Sequence, residues 1–173
     1  MKLNRRHLNA AAMSTIGLSA LSFLPVRAQP AAPTPRKILT ISGKIRNFNN
    51  GQVAEFDLQS IESLEQSSFR TKTPWYDAPV TFEGVRMAKL LDHVGAFGDR
   101  VVAIALNDYT TEIPISDFIK FGVLLAIKRD GNYMPVSDKG PLFIVYPYDS
   151  AAELARPPYF GRSAWQVAQL IIK

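Results

Sequence analysis

The sequence predicts an α+β domain, a mixed β-sheet with short helices, and three observations carry that expectation. Apolar residues alternate with period two over many short segments. One segment alone, Val85 to Val94, shows a clear apolar period near 3.6 residues. Strands are not regularly followed by helices, as a doubly wound parallel sheet would require, and no internal repeat is visible.

Ile38 to Ile45 alternates around Leu39, Ile41 and Ile45 and reads as a half-buried strand, closed by the turn-former Asn47-Phe48-Asn49-Asn50-Gly51. Val53 to Leu58 is a second strand, and Ser60 is placed to cap a brief helix through Leu64. Ser67 to Thr73 alternates again before Pro74-Trp75. In the Val85–Val94 helix, Met87, Leu90, Leu91 and Val94 fall on one face, and Gly95 ends it. Val101 to Leu106 and Thr111 to Ile115 are strand-like, with Asn107-Asp108 between them. Ser116 is placed to cap a turn of helix over Asp117 to Phe121. Val123 to Lys128 and Tyr133 to Val136 form a hairpin, because Asp130-Gly131 supplies the positive φ its turn needs. Leu142 to Tyr146 is a buried strand, Ala151 to Ala155 a helical turn, and Ala164 to Ile172 a terminal strand.

Before this body, residues 1–28 read as a cleaved signal peptide. Met1 to His7 is basic, Leu8 to Leu24 is apolar and rich in small residues, and Val26-Arg27-Ala28 suits a signal peptidase. The stretch is short and weakly apolar for a membrane span, which wants about 20 apolar residues. Asn4-Arg5-Arg6-His7-Leu8 is similar to a twin-arginine signal without its usual Phe and Lys, so general secretion is the alternative route. Residues 29–36, rich in proline and small residues, form a flexible linker, and 37–173 form the domain. The expected location is the periplasm.

Charge then loses its usual meaning. The chain has 20 Lys+Arg and 15 Asp+Glu, yet Lys2, Arg5, Arg6 and Arg27 precede residue 29 and no acid does. The body is nearly neutral, so nucleic acid, which needs a concentrated basic face, is not an expected partner. With 47% hydrophobic and 20% charged residues, disorder is excluded. Cysteine is absent, which removes disulfides, thiolate catalysis and cysteine–metal sites.

Spacing reveals no catalytic or metal-ligating set. His93, the one histidine of the body, sits in the last turn of its helix, where a positive charge is mildly favourable. One histidine makes neither a metal site nor a serine triad. Gly84, Gly95 and Gly98 do not compose a dinucleotide fingerprint. Three clusters at strand ends carry more: Thr71-Lys72-Thr73-Pro74-Trp75-Tyr76, Leu106-Asn107-Asp108-Tyr109, and Tyr159-Phe160-Gly161-Arg162-Ser163-Ala164-Trp165. Each combines flat faces for stacking with groups for edge hydrogen bonds, as a polar heterocycle requires. Each also has an ordinary reading, with the tryptophans as core and Asn107-Asp108 as a turn.

Thr71–Trp75, Phe82-Glu83-Gly84-Val85 and the Leu90-Leu91 helix together resemble the oxidoreductase molybdopterin-binding domain, the sulfite oxidase fold. The resemblance continues in order through Leu106-Asn107-Asp108-Tyr109, Ile113-Pro114, Leu125-Ala126 and Asp130-Gly131. It ends with Asp138-Lys139-Gly140-Pro141-Leu142, Val145-Tyr146-Pro147 and Arg162-Ser163-Ala164-Trp165, so it spans Ile38 to Ile172. It implies a mixed α+β fold with a β-barrel-like part and a pterin or molybdopterin-like ligand. The ligand residues it implies are Thr71, Trp75, Asn107, Asp108, Tyr109, Asp138, Lys139, Arg162, Ser163 and Trp165. Trp75 and Trp165 would take the pterin face, and Asn107 and above all Asp108 its amino-pyrimidine edge.

Catalytic members of the family hold molybdenum through a cysteine whose position falls at or beside Thr71. A threonine hydroxyl is a hard, weakly acidic group in place of a soft thiolate. The arginine expected after Gly140-Pro141 is Phe143. The sequence therefore resembles the cysteine-free branch associated with periplasmic pterin sensing beside membrane sensors, including cyclic-di-GMP proteins. The expectation is a pterin-binding, non-catalytic signalling protein without molybdenum. Its alternatives are an oxidoreductase holding molybdopterin without a cysteine ligand, and a structural partner protein with an empty cleft.

Overall fold

A computed structural model describes residues 36–173 of the chain. The signal peptide and all but the last residue of the linker lie outside the described residues. Among these residues, no helix is long and apolar enough to cross a membrane.

Ten strands form two sheets. The first contains β1 (Leu39–Gly43), β2 (Ala54–Phe56), β5 (Arg100–Ala105), β6 (Thr110–Pro114) and β10 (Val167–Ile172), ordered β2-β1-β10-β5-β6. Its β1–β10 pair is parallel and the others antiparallel. The second contains β3 (Gln66–Thr73), β4 (Tyr76–Arg86), β7 (Leu124–Arg129), β8 (Asn132–Tyr133) and β9 (Phe143–Val145). Here β4 lies between β3 and β7, while β8 and β9 share the far edge of β7 at its two ends. Four short helices, α1 (Leu58–Glu62), α2 (Met87–His93), α3 (Ile115–Phe121) and α4 (Pro157–Arg162), complete the α+β fold. Neither sheet closes into a barrel among the described residues, so the barrel-like part implied by the resemblance is an open sheet.

Alternation places Leu39 and Ile41 of β1, Val101 and Ala103 of β5, and Leu170 and Ile172 of β10 in one continuous core. The second sheet adds Phe82, Leu124, Leu125 and Phe143, all fully buried. On α2, Met87, Leu90 and Leu91 point inward, and Gly95 at φ 61° turns the chain out of the helix. His93 is exposed, as its place at a helix end suggests.

Four features differ from the sequence reading. β4 runs from Tyr76 to Arg86, so Val85 and Arg86 are strand residues paired with Leu125 and Leu124, and the helix begins at Met87. Asp57, not Ser60, caps α1, accepting the Ser60 N–H at 2.7 Å. Ser116 lies inside α3, which starts after Pro114. α4, which the sequence reading did not contain, begins on Pro157-Pro158, where missing N–H groups cost a helix nothing.

Gly84 sits where β4 crosses β7 most closely. A Cβ there would overlap the Leu125 carbonyl and the Ala126 backbone, at the point where the register shifts. Gly84→Ala is expected to destabilise the domain by about 3 kcal/mol, measured by urea unfolding, while Gly131→Ala, which meets nothing nearby, isolates the cost of a positive φ.

Candidate functional site

The segment Ser163–Val167 bridges the two sheets. Ile144 donates its N–H to the Ala164 carbonyl at 2.8 Å, Val167 donates to Leu142 at 3.0 Å, and Leu106 donates to Gln166 at 2.9 Å. This path carries Trp165 onto Trp75, which stands at the turn between β3 and β4. Their ring centroids are 5.5 Å apart, edge to face. Phe143, Tyr148 and Phe160 close around Trp75 at 5.5, 6.0 and 6.4 Å.

Against these rings lies a cavity of about 200 Å³, lined by Trp75, Asn107, Tyr109, Phe160, Ser163 and Trp165. Concavities of about 500 and 410 Å³ elsewhere are polar and shallow. A groove of about 390 Å³ between Arg36–Thr40 and Val167–Gln169 is mainly apolar. Among these concavities the cavity at Trp75 joins flat faces to edge-reading polar groups; a hollow of about 90 Å³ that sets Asn47 and Asn49 beside Phe48, Phe56 and His93 is smaller still.

Of the residues singled out in the sequence, Trp75, Asn107, Tyr109, Ser163 and Trp165 come together in its wall. The others stand outside it. Asp108 is exposed on the β5–β6 turn with φ 64°, so its conspicuous role is to shape the turn that presents Asn107. Asp138 accepts hydrogen bonds from Arg129 at 2.6 Å and Tyr76 at 3.3 Å. Lys139 and Arg129 flank the Tyr76 ring, each 4.6 Å from its centroid, and Lys139 also lies 6.0 Å from the Trp165 ring. Arg162 donates to Asp117 at 2.8 Å, on the same carboxylate oxygen that accepts the Tyr146 hydroxyl at 2.8 Å. That network ties α4 to α3 and to the residue just after β9.

Thr71 is fully buried. Its Oγ1 accepts the Asp149 N–H at 3.1 Å and donates to the Lys72 carbonyl at 3.1 Å. Asp149 returns the contact by accepting the Lys72 N–H at 2.8 Å. The two residues latch the end of β3 to the turn Tyr148–Ser150.

A scan of family models matches the oxidoreductase molybdopterin binding domain over residues 45–155. The chain belongs to this family. No curated protein matches it. Among solved structures it is similar to the sulfane dehydrogenase SoxCD of Paracoccus pantotrophus, with a TM-score of 0.59 and 15% identity over 79% of this chain. The chain spans 37% of that protein's length, and the likeness is one of fold.

The residues present fit a molybdopterin centre in part. Flat faces and edge groups for a pterin ring are there. The position that the resemblance implies for the metal's thiolate falls at or beside Thr71, whose hydroxyl is engaged at both ends by the chain, and the strand where it implies an arginine carries the buried Phe143. Among the described residues no three His, Asp or Glu side chains are grouped to hold a metal ion. The donor set does not fit molybdenum.

Sequence reasoning missed Phe160 as a wall residue, although it lies in a cluster already noticed. It missed Tyr148 and Asp149 altogether; partners so far apart in sequence leave no local signal.

Two outcomes follow from this geometry. Thr71→Val, which keeps the shape and loses both hydrogen bonds, is expected to cost about 1–3 kcal/mol in urea unfolding, with Thr71→Ser close to wild type. At Asp138, burial pushes the carboxyl up, but the hydrogen bond and charge of Arg129 outweigh it and hold the group below the ordinary carboxylate range. The native state therefore binds fewer protons than the unfolded chain, and the stabilisation is present above the unfolded value, roughly pH 4. It is lost as pH falls through the native value. Wild type should lose more stability than Asp138→Asn on acidification from neutral pH, read by thermal unfolding.

Proposed function

We propose that this family member is an exported, periplasmic pterin-binding protein that does not catalyse and that signals occupancy to a membrane sensor. The observation that carries the reading is the pairing of an aromatic cavity with a hydroxyl latch at the thiolate position. Two tryptophans, Phe160 and Tyr109 offer faces to a ring, and Asn107 and Ser163 offer edge contacts. At about 200 Å³ the cavity is smaller than the ~300–1,000 Å³ of sites enclosing drug-sized ligands. That size favours a bicyclic ring over a phosphorylated, metal-bearing cofactor.

A route for signalling is consistent with the wall itself. Phe160 belongs to α4, and α4 is held by Tyr109, whose hydroxyl donates to the Gly161 carbonyl at 2.7 Å, and by the Arg162–Asp117 pair. A ligand that presses on Tyr109 or Phe160 would shift α4 against α3, where Ile119 is 73% exposed. A membrane sensor, of the cyclic-di-GMP type or another, would read that surface.

The experiment is a pterin titration of the exported protein, followed by metal analysis. Pterin should bind, and Trp165→Ala should weaken it about tenfold, or ~1.4 kcal/mol, with folding checked by circular dichroism. Thr71→Cys should neither bring in molybdenum nor create sulfite or sulfoxide turnover. Stoichiometric molybdenum in the wild-type protein, or turnover in Thr71→Cys, would favour the oxidoreductase.

A further inference from the structure

Ser163 is 2% exposed yet forms part of the cavity wall. Its hydroxyl has one proton and two lone pairs. The proton goes to the Tyr159 carbonyl at 3.1 Å, one helical turn back. Tyr148, itself 5% exposed, has a hydroxyl hydrogen-bonded to Ser163 Oγ and to no other group among the described residues. With the Ser163 proton already placed, Tyr148 must be the donor of that pair. The reverse assignment would strand the phenol proton without an acceptor in a region closed to water. Burial also pushes the Tyr148 phenol far above its ordinary range, so the proton stays on it. What remains for a ligand is one lone pair of Ser163 and no proton.

We propose that Ser163 is a fixed acceptor that selects flat heterocycles carrying an N–H on the facing edge; this rests on the pterin reading of the same cavity. The other polar groups of the wall do not duplicate it. Asn107 Oδ1 accepts the Tyr109 N–H at 3.2 Å and the Tyr109 hydroxyl donates to Gly161; the acceptor capacity each retains lies on an exposed side chain, where water serves it when the ligand does not. Asn107 Nδ2 and the indole N–H groups of Trp75 and Trp165, which make no hydrogen bond among the described residues, are donors only. A ligand edge without an N–H would bury the Ser163 lone pair unpaired, and a site built for a hydrogen bond rejects the analogue that lacks it.

The chain has two tryptophans and both line the cavity, so intrinsic fluorescence reports on this site. The test titrates the protein with pterin and with 1,3-dimethyllumazine, the same bicyclic frame with its edge N–H groups methylated or absent. Wild type should prefer pterin by on the order of tenfold or more. Ser163→Ala should reduce that preference to a small residue, and Asp108→Ala should leave it intact. Equal binding of the two probes by wild type overturns the inference and leaves pterin binding standing. A preference that survives in Ser163→Ala assigns it to methyl bulk and overturns the inference as well. Failure of both probes to bind wild type overturns both the inference and the function it rests on. Should Ser163→Ala not fold, Ser163→Cys makes the same comparison, because sulfur is a weak acceptor.

Discussion

Trp75 meets four aromatic rings that arrive from β9, from the turn after it, from α4 and from the approach to β10. Each edge-to-face pair contributes about 0.5–1.5 kcal/mol beyond area burial, but the geometric consequence is larger than the energy. Trp75 sits at the β3–β4 turn, so the turn cannot move without disturbing β9, the turn after it, α4 and the approach to β10. The polar contacts are arranged around that centre. Thr71 and Asp149 fix the end of β3, Tyr148 fixes Ser163, and Tyr109 fixes α4. The cavity wall is thus made of residues whose positions are set by packing behind them, which is what preorganises a binding site.

The departures from the catalytic pattern are consistent with one another. A thiolate at position 71 would need to face a metal, whereas the Thr71 hydroxyl faces the chain and closes a reciprocal pair with Asp149. An arginine at position 143 would place a charge beneath Trp75. Phe143 instead packs edge to face on Trp75 and on Phe82, at 5.5 and 5.6 Å. A buried cation there would need partners that the surrounding Phe82, Trp75 and Trp165 do not supply. The region that the resemblance implies for a metal cofactor is here closed by the Thr71–Asp149 pair and by aromatic packing around Phe143.

How much of this was legible in sequence depended on whether the signal was local. β1, the β7–β8 hairpin and the apolar face of α2 follow from alternation, from Asp130-Gly131 and from a 3.6-residue period. β4 was hidden, although Val80, Phe82 and Gly84 alternate into the core. Pro79 falls in the irregularity where the β3–β4 register shifts, and Gly84 reads as a breaker until its close approach to β7 is seen. The family resemblance brought forward the clusters that line the aromatic cavity, yet it could not separate Asn107 from Asp108. That distinction depends on backbone angle: at φ 64° Asp108 turns the chain, and its neighbour reaches the cavity. Arg162 and Asp138 were noticed as polar residues beside aromatics, and both are engaged by charged partners that sequence order does not reveal.

The same contrast bears on how a site this small discriminates. Aromatic walls accept any flat ring of suitable size, because stacking is tolerant of ring substitution. Selectivity must come from polar groups that cannot reorient, and mobile exposed side chains such as Asp108 are poorly suited to that, since water can replace the ligand at little cost. Ser163 differs because both its proton and one lone pair are held by Tyr159 and Tyr148 behind the wall. On that proposal its remaining lone pair is presented with a fixed sign, beside the aromatic rings of the wall. In such surroundings an unmatched polar group is expensive and a matched one is nearly free. On the proposed reading, discrimination by this cavity resides in a residue that is almost invisible at the surface, held in place by a tyrosine that no ligand needs to touch.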